Sequence, residues 1–358
     1  MNRRVGKTVS WQRHWLGMLL VAVVLVAVPF VAALGGQAWV RIANFAILYI
    51  FLALGLNIVV GYAGLLDLGY VAFYAVGAYT YALLASPHFG IHLPFWVILP
   101  FGAALACFFG VILGAPTLKL RGDYLAIVTL GFGEIIRIFM NNLNAPINIT
   151  NGAQGITLID PIRIGDFSFA QTSTVFGVSI SGPHKYYFLL VTLAILVIFI
   201  NIRLQDSRIG RAWQAIREDE VAAKACGINT RNIKLLAFAM GASFGGIAGG
   251  VFSAMQGFVS PESFSLMESI TILAMVVLGG MGHIPGVILG AILLTALPEA
   301  LRYGIDPLQR MVFGHPVVDP ESMRMLVFGL ALVLVMRFRP AGLWPSSQRR
   351  RELSEGTH

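Results

Sequence analysis

Residues 269–298 read SITILAMVVLGGMGHIPGVILGAILLTALP and contain no Asp, Glu, Lys or Arg. One helix of this length would measure about 45 Å, which exceeds the roughly 30 Å hydrocarbon core of a bilayer but falls short of two full crossings. The glycines and the proline at 279–286 would interrupt a helix. The stretch therefore predicts two short membrane-spanning helices separated by a break.

The whole chain has the composition of a membrane protein. Of its 358 residues, 57% are hydrophobic and 12% are charged, about half the charged fraction of a soluble domain. The formal net charge of +8 could indicate a nucleic-acid partner. However, the basic residues lie in short segments between apolar runs, as the positive-inside rule predicts. The sequence therefore indicates a protein embedded in a lipid bilayer, with no nucleic-acid partner.

The apolar runs predict an all-α polytopic membrane protein with about ten transmembrane helices, some of them short or broken. The predicted spans are residues 15–34, 42–60, 64–84, 93–114, 124–140, 186–202, 235–252, two spans within 269–298, and 323–336. With two crossings in 269–298, both termini and every strongly basic segment share one side of the membrane. By the positive-inside rule that side is the cytoplasm.

This topology divides the chain into three parts. Residues 1–14 are a cytoplasmic N-terminus, residues 15–340 a transmembrane domain, and residues 341–358 a cytoplasmic basic tail. Within the transmembrane domain, residues 141–185 form an external loop and residues 203–234 a cytoplasmic loop. The external loop contains TNGAQGI at 150–156, which is either an ordinary turn or a contact for a protein outside the membrane.

The cytoplasmic loop contains GRAWQAIREDEVAAKACGIN at residues 210–229. Ser207 can cap a helix start and Gly227 can end it, so the pattern predicts one helix over 207–226. Trp213 belongs to an apolar stripe at helical spacing. The stripe could lie on the bilayer surface, but the acidic run at 218–220 would be repelled by anionic lipids. A groove on another protein is therefore the favoured partner.

The alanine pair in this loop carries a family resemblance. Ala222 and Ala223, after Glu220 and before Gly227, resemble the EAA loop of ABC importer permeases. More specifically, the chain resembles the branched-chain amino-acid permease family, and its M-type subunits most closely. The similar blocks are LKLRGDYLAIVTLGFGEIIRI (118–138), GFVSPESF (257–264), VVLGGMG (276–282) and RPAGLWP (339–345). The chain departs from the general importer loop in its spacing after the alanine pair and at Leu236-Ala237, where many loops have Leu-Pro.

The resemblance implies a permease subunit of an ATP-driven importer for leucine, isoleucine, valine or a related small substrate, working by alternating access. It implies four kinds of partner: an H-type permease forming a heterodimer, two ATP-binding subunits, an external substrate-binding protein and the lipid of a bacterial plasma (inner) membrane. The chain has no G-x-x-x-x-G-K-[ST] phosphate loop. We therefore expect ATP and Mg on the partner subunits, no cofactor on this chain, and no enzyme activity of its own.

Two sets of residues are candidates for this function. Those predicted to couple the loop to an ATP-binding subunit are Trp213, Arg217, Glu218, Asp219, Glu220, Ala222, Ala223 and Gly227. Those predicted for the translocation path are Asn57, Asp67, Glu134, Gly279, Gly280 and Gly282. Ionisable groups at membrane depth cost about 2.5–3.5 kcal/mol on insertion scales, so each is a functional candidate.

Each path candidate also has a structural interpretation, and the glycines at 279–282 can simply permit close helix packing. Glu134 can pair with Arg137 one helical turn on, and Asp67 can be solvated near the cytoplasmic end of its span. Asn44 and Asn57 can form hydrogen bonds between helices. The alternative function is a proton-coupled secondary transporter of small amino acids that uses Glu134 or Asp67. No H-E-x-x-H motif indicates a metal site.

Overall fold

The computed structural model describes residues 23–117, 120, 122–165, 167–175 and 178–313, together with 326, 329–330, 333–334, 337–338 and 342–344. The predicted N-terminus (1–14), the start of the first span, most of span 323–336 and most of the basic tail (341–358) lie outside these residues. So do Lys119, Arg121 and Arg339.

Helices make up most of the described chain. They are α1 (Val23–Leu34), α2 (Gln37–Asn57), α3 (Val71–Leu84), α4 (Phe95–Thr117), α5 (Asp123–Asn142), α6 (Gly182–Gln205), α7 (Arg208–Glu218), α8 (Glu220–Ala225), α9 (Thr230–Gln256), α10 (Leu266–Gly279) and α11 (Ile284–Phe313). A π-helical segment, Ile58–Tyr62, extends α2. Short 3₁₀ turns occupy Gly152–Gln154 and Pro261–Phe264.

Apolar helices of membrane length recur along the chain. Among the described residues, four helices are long and apolar enough to cross a membrane: Gln37–Tyr62, Phe95–Thr117, Gly182–Gln205 and Thr230–Gln256. Shorter apolar helices are Val23–Leu34, Val71–Leu84, Leu266–Gly279 and Ile284–Ala300. The prediction of an all-α polytopic membrane protein is confirmed, whereas the number of ten crossings stays a prediction.

The core forms where α9 packs along α3 and α4. A Cβ on Gly77 would lie 2.1 Å from the carbonyl oxygen of Gly246, and one on Gly249 would lie 2.1 Å from that of Tyr74. Only glycine permits these backbones to approach so closely, which is how membrane helices gain packing contacts. Buried aromatic side chains, including Tyr70 and Phe73, fill the space around this contact.

The predicted break in residues 269–298 is present. Helix α10 ends at Gly279, Gly280 has a φ of 123°, and α11 begins at Ile284. A Cβ on Gly286 would lie 2.5 Å from the carbonyl oxygen of Gly279, and one on Gly290 would lie 2.2 Å from that of Met275. These contacts make α10 and α11 an antiparallel hairpin. The predicted break is therefore confirmed and α10 is short, whereas α11 continues to Phe313, beyond the predicted end at residue 298.

The predicted span 64–84 is wrong in its first part. Residues 63–70 are not helical, and α3 begins only at Val71. Gly64 has a φ of +68°, and the Oδ1 atom of Asp67 accepts a hydrogen bond of 2.9 Å from the Gly69 N–H. Such a local side-chain bond competes with the helical bonding pattern. An irregular segment therefore lies between two helices.

The predicted external loop is a folded cap with short strands. The strands are β1 (Ala85–Ser86), β2 (Ile91–His92), β3 (Ile156–Thr157), β4 (Arg163–Ile164), β5 (Phe167–Ser168), β6 (Ser173–Val175), β7 (Val178–Ile180) and β8 (Phe258–Val259). The pairs β1–β2, β4–β5 and β6–β7 are hairpins, whereas β3 pairs antiparallel with β8, with Ile156 opposite Val259. The Asp160 N–H also donates to the Ala85 carbonyl at 2.7 Å. The loop is thus attached to the helix ends on the side opposite residues 203–234.

Candidate functional site: the loop 203–234 and the glycine turns beneath it

The loop 203–234, all of which the structure describes, contains two helices, α7 and α8, instead of the predicted single helix over 207–226. The Ser207 cap is confirmed, because its Oγ accepts the Gly210 N–H at 3.1 Å. Asp219 has extended backbone angles, and its Oδ1 accepts the N–H groups of Val221 and Ala222 at 2.7 and 3.1 Å. The carboxylate thus caps a second helix, which is why the first ends at Glu218. Gly227 follows α8 with a φ of +83°.

The apolar stripe of this loop faces the chain itself. Trp213 is completely buried, and its Nε1–H donates to the carbonyl oxygen of Ile233 at 2.7 Å. Ile216 and Ala223 are buried as well. The interpretation that this stripe fits a groove on another protein is therefore wrong, because the start of α9 already covers Trp213. The stripe instead holds α7 and α8 against the membrane helices.

Glu220 also makes an internal contact. Its Oε2 lies 2.8 Å from Nζ of Lys234, whose side chain is 7% exposed, and its Oε1 lies 3.6 Å from Nζ of Lys224. A carboxylate and an ammonium group this close, with little solvent access, form an ion pair that is screened much less than one on the surface. Glu220 therefore ties α8 to α9.

The outward face of the loop is formed by other residues. Val221 is 69% exposed, and Glu218, Asp219, Ala222 and Gly227 are exposed around it. We call these five residues the tip face. Val221 is not among the predicted coupling residues, because it does not belong to the apolar stripe at helical spacing. The signal was present, since Val221 is an apolar β-branched residue that lies off the stripe.

Arg217 reaches inward from the end of α7. Its Nη1 donates to the carbonyl oxygen of Gly61, in the π-helical end of α2. The last carbonyls of a helix lack intrahelical partners and carry partial negative charge. A cation at this position supplies a donor and is favourable by roughly 0.3–1 kcal/mol. Arg217 therefore connects the loop 203–234 to the end of α2.

The same place joins α2 to the α10–α11 hairpin. The Oδ1 atom of Asn57 accepts the backbone N–H of Gly282 at 2.8 Å. A Cβ on Gly61 would lie 2.0 Å from that Oδ1 atom and 2.7 Å from the Gly282 nitrogen. The predicted bond between helices at Asn57 is confirmed, and a second one links Asn44 Nδ2 to the Pro183 carbonyl at 3.0 Å. The two glycine-rich interruptions of the chain thus meet beneath α7.

The path candidates lie in three separate places. Asn57 and Gly282 lie at this junction, and Gly279 and Gly280 lie at the adjoining end of α10. Asp67 lies in the irregular segment 63–70, and its carboxylate is completely buried, with no hydrogen-bond partner for Oδ2 among the described residues. The expectation that Asp67 is solvated cheaply is therefore wrong. The neighbouring Leu68 N–H donates to Thr129 Oγ1 of α5 at 3.0 Å.

Glu134 lies on α5, away from that junction. Its Oε1 accepts two hydrogen bonds from Arg137, at 3.0 Å from Nε and 2.5 Å from Nη2. The Nη1 atom of Arg137 also lies 3.4 Å from Glu262, in the segment that follows β8. The intrahelical pair predicted as one alternative is therefore present. Through the contact of Arg137 with Glu262, this pair connects α5 to the capped end of the bundle.

The structure also bears on the other candidate sites. In the part of the chain that the structure describes, no group of three or more His, Cys, Asp or Glu side chains could hold a metal ion. In the TNGAQGI turn, Thr150 is buried and its hydroxyl donates to the Met140 carbonyl at 2.5 Å. Ala153 and Gln154 of the same turn are exposed. The turn is therefore anchored by its threonine and open to solvent at its tip.

Comparison with known proteins gives one consistent family. Residues 38–336 match the family model described as "Branched-chain amino acid transport system / permease component". The chain is 43% identical to the high-affinity branched-chain amino acid transport system permease protein LivM of Escherichia coli K12, over 98% of this chain and 79% of that protein. It is 28% identical to a probable LivM of Methanocaldococcus jannaschii, over 76% and 74%. It is 27% identical to the LivH permease protein of E. coli K12, over 82% and 90%. No solved structure matches the chain.

Proposed function

The chain belongs to the family of branched-chain amino acid transport permeases, and we propose that it is one of two membrane subunits of an ATP-driven importer. The substrate class is leucine, isoleucine, valine or a related small solute. The observation that carries the proposal is the tip face, an exposed patch on a loop that is otherwise fastened to its own bundle. A loop built in this way presents a rigid surface to another protein while having no chemistry of its own.

The proposed assembly contains four other protein chains. The second membrane subunit is an H-type permease, and both LivM and LivH proteins are among the relatives of this chain. Two ATP-binding subunits carry ATP and Mg, because this chain has no phosphate loop. A substrate-binding protein docks on the capped end, where the exposed tip of TNGAQGI is a candidate contact. The chain lies in the bacterial plasma membrane with both termini in the cytoplasm.

The proposed mechanism is alternating access. Closure of the ATP-binding subunits moves α7 and α8, which move the membrane helices to which they are fastened. Val221 and Ala222 supply the apolar centre of the contact with the ATP-binding subunit, and Glu218 and Asp219 supply its polar rim, as in other protein interfaces. Trp213, Glu220 and Ala223 act on the inner side, where they keep α7 and α8 rigidly attached. Gly227 ends this unit.

The proposed path has its cytoplasmic gate at the junction of α2 with the α10–α11 hairpin. Asn57, Gly279, Gly280 and Gly282 are assigned to this gate. Irregular backbone at membrane depth is tolerated where it is covered by protein or borders a water-filled cavity, and helix interruptions of this kind border substrate paths in transporters. Asp67 and Glu134 are assigned supporting positions outside the gate. Asp67 lies in the irregular segment that follows α2, and Glu134 belongs to the ion pair at the capped end.

A proton-coupled secondary transporter is the second candidate. One observation favours it: the buried Asp67 carboxylate has an oxygen without a hydrogen-bond partner in the described part of the chain. Such a group can be a proton carrier. The paired state of Glu134 makes that residue the weaker of the two carriers. This alternative gives no role to the tip face.

Co-purification tests the proposed contact between the tip face and the ATP-binding subunit. The chain is expressed with its partner subunits, and recovery of the ATP-binding subunit is measured for wild type, Val221→Asp and Ile147→Asp. Ile147 is the matched control, because it is a comparably exposed apolar residue at the opposite, capped end. We expect Val221→Asp to reduce recovery of the ATP-binding subunit at least tenfold, since a desolvated carboxylate at an interface core costs about 2 kcal/mol or more. Equal recovery from wild type and Val221→Asp contradicts the contact.

A further inference from the structure

We propose that Arg217 is a positioning residue that transmits movement of the cytoplasmic loop to the gate inside this chain, and that it does not contact the ATP-binding subunit. This inference rests on the proposed function and assigns Arg217 a role different from that of the tip face. It concerns the step between closure of the ATP-binding subunits and opening of the translocation path. The residues through which Arg217 acts are Gly61 and Gly282.

The side chain of Arg217 points inward, toward the end of α2. Arg217 is the penultimate residue of α7, directly before the exposed Glu218 and Asp219. Its guanidinium nevertheless donates inward to the Gly61 carbonyl. Its stem lies over Gly64, where a Cβ would be only 2.8 Å from Arg217 Cγ. The head of Arg217 therefore contacts the end of α2, and its stem contacts the irregular segment that follows.

One guanidinium lies against two interrupted elements, the end of α2 and the turn between α10 and α11. Nη1 would lie 3.3 Å from a Cβ on Gly282, so it sits beside the turn between α10 and α11 as well as on Gly61. Gly61 and Gly282 are themselves held together through Asn57. A displacement of α7 therefore acts on the end of α2 and on the hairpin turn in the same direction.

The backbone of the elements that Arg217 contacts is irregular. Gly61 lies in a π-helical segment, and such segments occur frequently at functional sites. Gly64 and Gly282 both have positive φ, at +68° and +80°. Both elements are therefore interrupted where Arg217 contacts them. A rigid-body movement of α7 would therefore displace both the end of α2 and the turn between α10 and α11.

Arg211 provides a control on the same helix. It is exposed, and its Nη1 donates at 2.8 Å to the carbonyl oxygen of Asp206, five residues earlier. Its replacement removes one arginine from α7 without touching the gate. Lysine at position 217 provides a graded variant, because it keeps the charge and most of the stem but loses the planar fork of donors.

The experiment measures transport and ATP hydrolysis together. Wild type, Arg217→Ala, Arg217→Lys and Arg211→Ala are assembled as complete importers with their partner subunits and reconstituted in vesicles. Substrate uptake and ATP hydrolysis are recorded with the binding protein present. The informative quantity is the number of substrate molecules imported per ATP hydrolysed. Replacing a residue that only stabilises the fold or binds the ATP-binding subunit changes the rates of uptake and ATP hydrolysis in proportion. The ratio of the two then stays unchanged.

We expect Arg217→Ala to assemble and hydrolyse ATP while its ratio falls at least about tenfold, the effect of losing one charge-assisted hydrogen bond. Arg217→Lys should fall between Arg217→Ala and wild type, and Arg211→Ala should equal wild type. An unchanged ratio in Arg217→Ala overturns the inference. If Arg217→Ala does not assemble, Arg217→Lys decides, and a wild-type ratio in that variant overturns the inference. A wild-type complex without ATP-dependent uptake would instead refute the proposed function.

Discussion

Gly69 shows how one residue fixes the irregular segment before α3. A Cβ at this position would lie 1.9 Å from the backbone oxygen of Thr129 and 2.7 Å from its carbonyl carbon, so the segment packs on α5 without any intervening side chain. The neighbouring amide, that of Leu68, donates to the Thr129 hydroxyl. The position of the Asp67 carboxylate therefore depends on a glycine two residues away.

Replacement of Gly69 tests this contact. Gly69→Ala should destabilise the folded chain by about 1–3 kcal/mol, because the added methyl forces two backbones apart. Gly131→Ala on α5 is the control, since a Cβ there has no heavy atom within 4 Å. It should be neutral or stabilising by up to roughly 1 kcal/mol through its higher helix propensity. Thermal unfolding of the purified protein measures both. A Gly69→Ala protein as stable as wild type would contradict the close packing.

At the residue scale, the sequence predicts what local chemistry determines. The Ser207 cap and the Glu134–Arg137 pair depend on residues three positions apart, so they could be predicted from spacing alone. The burial of Trp213 could not be, because it depends on α9, which follows the loop and folds back over it. For the same reason the apolar stripe was interpreted as a docking surface, although it is part of the chain's own core.

At the scale of elements, the sequence predicts apolar helices and strong breaks. The turn between α10 and α11 could be predicted because four glycines and a proline at 279–286 interrupt an uncharged run. The interruption before α3 was not found, because its leucines continue the apolar pattern and only the backbone of Gly64 and the carboxylate of Asp67 oppose a helix. The pairing of β3 with β8 was also missed, since it joins segments that are about a hundred residues apart.

The attachment of α8 to α9 can be tested by exchanging charges. Glu220→Lys should destabilise this attachment by about 2 kcal/mol or more, because it places two ammonium groups together where Lys234 has little access to solvent. Lys234→Glu should have a similar effect for the opposite reason. The double variant restores an attractive pair. We therefore expect unfolding temperature and uptake to recover in the double variant relative to either single one.

One outcome of the charge exchange would contradict the ion pair between Glu220 and Lys234. Losses in the double variant that equal the sum of the single losses would show that Glu220 and Lys234 do not interact. Such a result would remove the ion pair as the fastening of α8. Lys224→Ala serves as a control, because its ammonium group lies 3.6 Å from Glu220 and its side chain is largely exposed. That replacement should change stability by no more than about 0.5 kcal/mol.

At the scale of the whole molecule, the two ends of the bundle carry different structures. One end has the loop helices α7 and α8, the interrupted end of α2 and the α10–α11 turn. The other has the strand-bearing cap and the Glu134–Arg137–Glu262 cluster. The sequence could predict which segments belong to each end, because charge alternates along the chain. It could not predict that the interruptions meet beneath α7, since that depends on tertiary packing.

We propose that transport through this chain is driven by ATP on partner subunits. The direct measurement is substrate uptake into vesicles that contain this chain alone or the complete importer, with either ATP or an imposed pH gradient. The account predicts uptake only with the complete importer and ATP, and persistence of that uptake when the proton gradient is collapsed. Asp67→Asn and Glu134→Gln should retain a requirement for ATP, even where assembly or rate declines. Uptake by this chain alone, driven by the pH gradient without ATP and abolished by Asp67→Asn, would contradict the account.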